Sequence, residues 1–123
     1  MMQIGEVAAR TELSLRSLRH WEDVGLLRPS GRSDGGFRLY TEDDVEKILV
    51  IRRMKPLGFT LEQMSAAMRD IEALRDPSAA PRHAEARQRL RALLAEAAAR
   101  RDRLEEQLGM ATEFIGQLDH ELG

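Results

Sequence analysis

The feature that most constrains this chain is a run of ten positions in its last third, spaced alternately four and three residues apart. Nine of the ten are apolar, and the run extends over more than four heptads. Such a seam is typical of a helix that packs against a second helix in a coiled coil. The heptad seam comprises Leu90, Leu94, Ala97, Arg101, Leu104, Leu108, Ala111, Ile115, Leu118 and Leu122. It predicts one long helix over residues 82–122, and all of its members except Arg101 are predicted dimerisation residues.

The seam also indicates how two copies would pair. In a parallel dimer Arg101 would meet Arg101 and bury like charge, while Ala97 opposite Ala97 would leave a gap. In an antiparallel dimer Leu94 meets Ala111 and Leu108 meets Ala97, so large side chains fill the space beside small ones. An antiparallel homodimer is therefore predicted. A shifted register that sets Arg101 against Ala111 remains open.

The first third of the chain predicts a helix-turn-helix. A helix over residues 4–10 is followed by a short turn, and Ser14 can cap a second helix over residues 15–23. Gly25 suits a left-handed stop after that helix. Two short helices joined by such a turn are the helix-turn-helix arrangement.

A hairpin and two further helices follow. Turn residues around Asp34 and the alternation in residues 37–40 predict a small two-stranded wing. Thr41 and the acids after it predict a third helix with a frayed or bent end at Pro56, and a second capping box at residues 60–63 opens a fourth. The predicted fold class is mainly α. It comprises a winged helix-turn-helix DNA-binding domain (1–75), a linker (76–81) and a coiled-coil dimerisation helix (82–123).

Composition excludes several classes of function. The 123 residues include no cysteine, so disulfides and thiolate metal sites are excluded. Neither a signal peptide nor an apolar stretch near the ~20 residues that span a bilayer is present, so we expect a cytoplasmic location and no membrane partner. No catalytic motif is recognisable, which predicts that the chain is not an enzyme. The net charge is −2, yet residues 10–38 carry six arginines against four acids, which suits phosphate binding.

Six segments together resemble the DNA-binding module of the MerR (mercury-resistance regulator) family. They are IGEVA (4–8), LRSLRHWE (15–22), GLL (25–27), GFRLY (36–40), DV (44–45) and LGFTLE (57–62). The resemblance covers about residues 3–74, and the following helix resembles the family's dimerisation helix. It implies a homodimer on pseudo-palindromic, double-stranded promoter DNA that distorts over-long spacer DNA, with RNA polymerase as a partner. The chain departs from the family where Glu12 replaces a usual glycine and where residues 20–21 replace two tyrosines.

The second helix carries the core of the predicted DNA-binding set. Helical rotation puts Arg16 and His20 on one side and Leu18 on the other, and a recognition helix presents its polar side to the major groove. The resemblance adds a wing contact to the DNA backbone or minor groove and a lysine contact to phosphate. The full predicted set is Ser14, Arg16, Ser17, Arg19, His20, Trp21, Arg38, Tyr40 and Lys55. Structural alternatives remain for three of them, since Arg19 could tie the helix to its domain and Trp21 and Tyr40 could pack in the core.

Two questions stay open at this level. A rival function is an architectural DNA-bending protein of the excision-factor type, or a coiled-coil adaptor. No resident metal or cofactor is predicted, and the effector is not identified. Antiparallel pairing could bring His83 near His120 of the partner subunit around a divalent ion, or an apolar ligand could lie near Leu93 and Phe114.

Overall fold

The computed structural model describes residues 1–123. By contacts within the chain it divides into two units, Met1–Arg69 and Asp70–Gly123, which are treated separately here. No helix is both long enough and apolar enough to cross a membrane. In chain order the elements are β1 (Met2–Gln3), α1 (Ile4–Thr11), α2 (Leu15–Asp23), β2 (Gly31–Arg32), β3 (Arg38–Tyr40), α3 (Glu42–Met54), α4 (Leu61–Arg75) and α5 (His83–Leu122). Short 3-10 helices lie at Lys55–Leu57 and Pro77–Arg82.

Local capping explains where α2 begins and ends. The backbone N–H of Ser17 donates to the Ser14 side chain at 3.0 Å, which confirms the predicted cap. At the other end Gly25 has a φ of +79°, and the N–H of Leu26 donates to the Trp21 carbonyl at 2.9 Å. This is the Schellman arrangement, in which a glycine in the left-handed region ends the helix.

The start of α3 is held by a reciprocal capping box. The Thr41 N–H donates to the Asp44 carboxylate at 2.9 Å, and the Asp44 N–H donates to the Thr41 hydroxyl at 3.1 Å. The Ser30 hydroxyl also donates to Asp44, so this buried carboxylate accepts two hydrogen bonds. At its far end, where a frayed or bent end was predicted, α3 gives way to the 3-10 helix that contains Pro56.

The sheet has one more strand than the predicted wing. Its order is β1-β3-β2 and both pairings are antiparallel, with Met2 opposite Tyr40 and Gly31 opposite Leu39. The hairpin of β2 and β3 is the predicted two-stranded wing. The added strand β1 has only two residues, too few to show an alternating pattern, and it pairs with a segment far along the chain.

The core of the first unit lies between the sheet and the first three helices. Its largest fully buried apolar side chains are those of Val7, Leu18, Tyr40, Ile48 and Ile51. Polar contacts join α1 to α3 at the surface of this core. The Arg10 guanidinium binds both oxygens of Glu42 at 2.6 and 2.7 Å, and Arg52 donates to the Thr11 carbonyl at 2.8 Å. These contacts fix α1, the helix against which α2 packs.

The second unit contains the long helix α5, which has 40 residues and is about 60 Å long. The segment predicted to be a linker contains a 3-10 helix, whose first turn is capped by Asp76 through the Ser78 N–H at 2.9 Å. The Arg89 guanidinium binds the Asp70 carboxylate through two nitrogens, at 2.8 and 3.0 Å. Every residue from 101 to 123 is exposed in the single chain.

Candidate DNA-binding interface

The exposed side of α2 presents two arginines and a histidine that the chain itself leaves without partners. The side chains of Arg16, Arg19 and His20 are exposed, and none of them makes a hydrogen bond or an ion pair within the chain. Leu18 and Trp21 lie on the opposite side and are buried. The helix is therefore attached to the domain by its apolar side, and its positively charged side is left for a ligand.

The two serines of the predicted set have a structural task in α2. The Ser14 hydroxyl accepts the Ser17 N–H, and it also donates to the Ser17 hydroxyl at 3.0 Å. These bonds satisfy one of the free amide groups in the first helical turn. Ser14 and Ser17 therefore stabilise the start of the helix that carries Arg16.

The predicted wing residues Arg38 and Tyr40 both meet Glu22, which lies near the end of α2. The Arg38 Nε donates to one Glu22 oxygen at 2.5 Å, and the Tyr40 hydroxyl donates to the other at 3.3 Å. Arg38 remains partly exposed, whereas Tyr40 is fully buried. Core packing, one of the two alternatives left open for Tyr40, therefore describes its position. In this structure its side chain has no exposed surface for the direct DNA contact that was predicted.

Burial has a chemical consequence for Tyr40. Burial, and after it the nearby Glu22 carboxylate, together raise the pKa of the phenol to about 12, because phenolate would be poorly solvated and would add a second negative charge. The hydroxyl is therefore a proton donor to Glu22 across the neutral pH range.

Trp21 and Lys55 lie together beside α2. The indole of Trp21 is buried, and the Lys55 ammonium lies 5.8 Å from the centre of its ring, at cation–π distance. Lys55 itself is exposed. Of the two alternatives for Trp21, packing in the core therefore describes its position. Its ring lies beside Lys55, whose ammonium stays accessible to solvent.

The tip of the wing is a tight turn with an exposed aromatic ring. Gly36 has a φ of +81°, and the Arg32 guanidinium donates to its carbonyl at 3.1 Å. Phe37 follows and is 63% exposed. Phe37 was not among the residues predicted to contact DNA.

Glu22 is the main residue that the sequence analysis missed. It lies on the inward side of α2 with Leu18, and its side chain is only 13% exposed. A carboxylate on the buried side of a helix requires a positive or donating partner, because its desolvation is otherwise too costly. That requirement was the available signal, but identifying the partners needed the tertiary structure.

The predicted dimerisation residues leave an apolar stripe uncovered along α5. Leu90 and Ala97 are half-buried in the single chain. The others are exposed: Leu94, Leu104, Leu108, Ala111, Ile115, Leu118 and Leu122. A stripe of this length on a charged helix is typical of a surface that another chain covers.

Several solved structures have the same fold. A MerR family transcriptional regulator from Listeria monocytogenes has a TM-score of 0.68 at 24% identity, covering 97% of this chain and 86% of that chain. The N-terminal part of MtaN, the Bacillus subtilis multidrug transporter activator, has a TM-score of 0.55 at 26% identity, covering 99% and 98%. HiNmlR, a MerR family regulator lacking the sensor domain and bound to promoter DNA, has a TM-score of 0.50 at 19% identity, covering 90% of each. The first and third likenesses show the fold alone.

Sequence relatives match the first part of the chain. The nodulation protein NolA of Bradyrhizobium elkanii is 40% identical over 74 residues, which are 60% of this chain and 34% of that protein. The HTH-type transcriptional regulator YfmP of Bacillus subtilis is 43% identical over 68 residues, which are 54% and 49%. The chain thus spans about a third to a half of the length of these relatives.

The family comparison agrees with the geometry. Residues 2–71 match the model described as MerR HTH family regulatory protein, and this segment holds α1, α2, the sheet and α3. YfmP is described as a transcriptional regulator and not as an enzyme. The chain belongs to the MerR family of helix-turn-helix DNA-binding transcriptional regulators.

Proposed function

We propose that the chain regulates transcription by binding a specific, pseudo-palindromic promoter site as an antiparallel homodimer. The observation that carries this proposal is the exposed side of α2, where Arg16, Arg19 and His20 have no partner within the chain. A helix that presents unpaired cations beside a short wing has the geometry needed to enter a major groove while the wing lies along the backbone.

Each cation has a proposed role in the complex. Arg16 binds a guanine edge or a phosphate, because its planar guanidinium can donate two parallel hydrogen bonds. Arg38 from the wing and Lys55 beside α2 bind phosphates and set the orientation of the domain. Trp21 and Tyr40 act from the core, by packing under the residues that contact DNA.

The proposed dimer rests on α5, where apolar residues and charges both favour an antiparallel pair. Residues 83–103 carry six arginines and three acids, a net charge of +3, whereas residues 104–122 carry five acids and no lysine or arginine. Antiparallel pairing sets each basic half beside the acidic half of the partner, and parallel pairing would set like beside like. The apolar seam supplies the buried area, and the charges select the direction.

This assembly relates the protein to its site. A twofold-symmetric dimer carries two copies of α2, so its operator should contain two inverted half-sites at a fixed spacing. We assign residues 1–75 to DNA binding, residues 76–81 to a linker and residues 82–123 to dimerisation. Distortion of the promoter spacer, which aligns the promoter for RNA polymerase, is the proposed route to regulation.

Genome-wide mapping of bound sites is the first test, followed by binding measurements on the site it identifies. We expect an inverted repeat within promoter spacers. On that site Arg16→Ala should weaken binding by about 1–3 kcal/mol, and Arg38→Ala should reduce the salt slope by about 1. Arg103→Ala, which removes an exposed arginine from α5, is the matched control and should bind normally.

The outcomes separate the proposal from its rival. Bound sites scattered outside promoters, together with bending of DNA, would indicate an architectural protein instead. If Arg16→Ala and Arg38→Ala both bind the mapped site as tightly as the wild type at matched salt, the assignment of the interface is wrong.

A further inference from the structure

Arg38 differs from the other cations of the interface because it already has a partner. Its Nε donates to Glu22 at 2.5 Å, whereas Arg16 and Arg19 make no bond within the chain. Glu22 lies on α2 and Arg38 on β3, sixteen residues apart, so this pair joins the recognition helix to the wing. An acid at a DNA-binding surface is unfavourable in itself, because it repels phosphate.

The geometry leaves Arg38 able to bind a second group. Only its Nε is used, and its two terminal Nη groups make no hydrogen bond within the chain. The Arg38 side chain is 37% exposed, while the carboxylate that holds it is nearly buried. The guanidinium is planar, so fixing the Nε edge also fixes the direction of the remaining donors.

The carboxylate is itself held in place. The buried Tyr40 hydroxyl donates to the Glu22 oxygen that Arg38 does not use. A side chain with both oxygens bound has few rotamers available, so it can hold a partner in one direction. The three residues form a chain of contacts from the core to the surface, which we name the Glu22 cluster (Glu22, Arg38 and Tyr40).

We propose that Glu22 is a positioning residue for DNA binding, which orients the Nη groups of Arg38 toward a phosphate and fixes the wing relative to α2. Glu22 does not touch the DNA. The inference rests on the proposed function, in which Arg38 contacts DNA from the wing. Holding the guanidinium before binding lowers the entropy that is lost when the contact forms.

The proposal predicts the opposite sign from simple electrostatics. Removing a negative charge near DNA should tighten binding if charge alone matters. Removing Glu22 should instead weaken binding, because Arg38 loses its orientation. Asp23→Asn is the matched control, since Asp23 is the next residue on α2, is exposed and has no ion pair within the chain.

The test measures affinity for the mapped promoter site over a range of salt concentrations. We expect Glu22→Gln to bind about five- to tenfold more weakly than the wild type, with the same reduced salt slope as Arg38→Ala. Asp23→Asn should bind as tightly as the wild type or more tightly. In the Arg38→Ala background Glu22→Gln should have no further effect, since the residue acts only through Arg38.

The possible failures are distinguishable. If Arg38→Ala weakens binding but Glu22→Gln binds as tightly as Asp23→Asn, Glu22 is not a positioning residue and the proposed function stands. If Arg38→Ala binds like the wild type, the wing contact itself fails and the role of Glu22 fails with it. An equal loss from Glu22→Gln with and without Arg38 would indicate general damage to the fold and would also overturn the proposal.

A measurement on the unmodified protein covers the case in which Glu22→Gln does not fold. In a nuclear magnetic resonance spectrum the Arg38 Nε–H signal, assigned by its absence in Arg38→Lys, should be protected from solvent exchange in the free protein. It should stay protected when promoter DNA is added, while the Nη signals shift. Loss of Nε–H protection on DNA binding would mean that Arg38 leaves Glu22 to reach phosphate, which would contradict the proposal.

Discussion

The two units of this chain use the same kind of apolar helix pattern and differ in whether the chain covers it. In the first unit Leu18 of α2 and Ile48 of α3 are fully buried. In α5 the seam residues Leu108, Ile115 and Leu122 are 68%, 66% and 85% exposed. An apolar stripe therefore specifies a buried face without specifying what buries it. The short helices of the first unit are covered by other elements of that unit, whereas the second unit has no other element long enough to cover a 40-residue helix.

The largest expected effect comes from placing a charge in the uncovered stripe. Leu108→Glu would set a carboxylate in the seam of the dimer, at a cost on the order of several kcal/mol. We expect sedimentation to show a monomer while circular dichroism still shows a folded first unit. Gln117→Glu adds the same charge away from the seam and should remain dimeric. A Leu108→Glu protein that sediments as a dimer would break the contrast between the two units.

The covered stripe should respond differently. Leu18→Ala removes a fully buried side chain from α2 and should lower the free energy of unfolding of the first unit by about 2–5 kcal/mol. Because Leu18 belongs to the first unit and the seam to the second, the dimer should persist at temperatures where the variant is folded. Chemical denaturation combined with sedimentation checks both parts, and dissociation of folded Leu18→Ala protein would count against treating the units as separate.

A smaller effect is expected at the turn between α1 and α2. Glu12 has a φ of +56°, in the left-handed region that favours glycine, and the MerR family usually has glycine here. Glu12→Gly should raise the free energy of unfolding by about 0.5–1 kcal/mol. This net gain is smaller than the strain that is relieved, because glycine also gives the unfolded chain more freedom. Glu12→Asn should fall between the two, and a loss of stability in both variants would contradict this account. Urea denaturation curves provide the measurement.

An effect that appears only at high pH is confined to the covered region. The pKa of Tyr40 is raised from 10.0 to about 12, so its contribution to stability is fully present below pH 10 and is lost as pH rises toward 12. Since the chain has a single tyrosine, the ultraviolet absorbance of phenolate reports Tyr40 alone. We expect an apparent pKa near 12 in the folded protein and near 10 in denaturant. A value near 10 in the folded protein would mean that the phenol is exposed.

Local signals in the sequence were enough to predict much of the fold. The cap at Ser14, the stop at Gly25 and the end of regular α-helix near Pro56 each depend on one residue and its neighbours, and each is present. The strand β1 was not predicted, because Met2 and Gln3 adopt it only by pairing with β3.

The candidate site was predicted less completely than the fold. The side of α2 that carries Arg16 and His20 follows from helical rotation alone. The position of Tyr40 does not, since alternation along a three-residue strand gives it the same side as the partly exposed Arg38. The role of Glu22 depends on contacts between α2 and β3 that no local pattern encodes.

Cross-linking through introduced cysteines tests the central claim most directly, namely that a second, antiparallel copy covers the stripe on α5. The chain has no cysteine of its own, so single variants report only the introduced position. We predict that a mixture of Leu94→Cys and Ala111→Cys proteins forms a disulfide-linked dimer, and that neither protein forms one alone. Only in the shifted register would Ala111→Cys cross-link with Arg101→Cys instead of Leu94→Cys. Efficient cross-linking of Leu94→Cys with itself would show a parallel pair and would contradict the account.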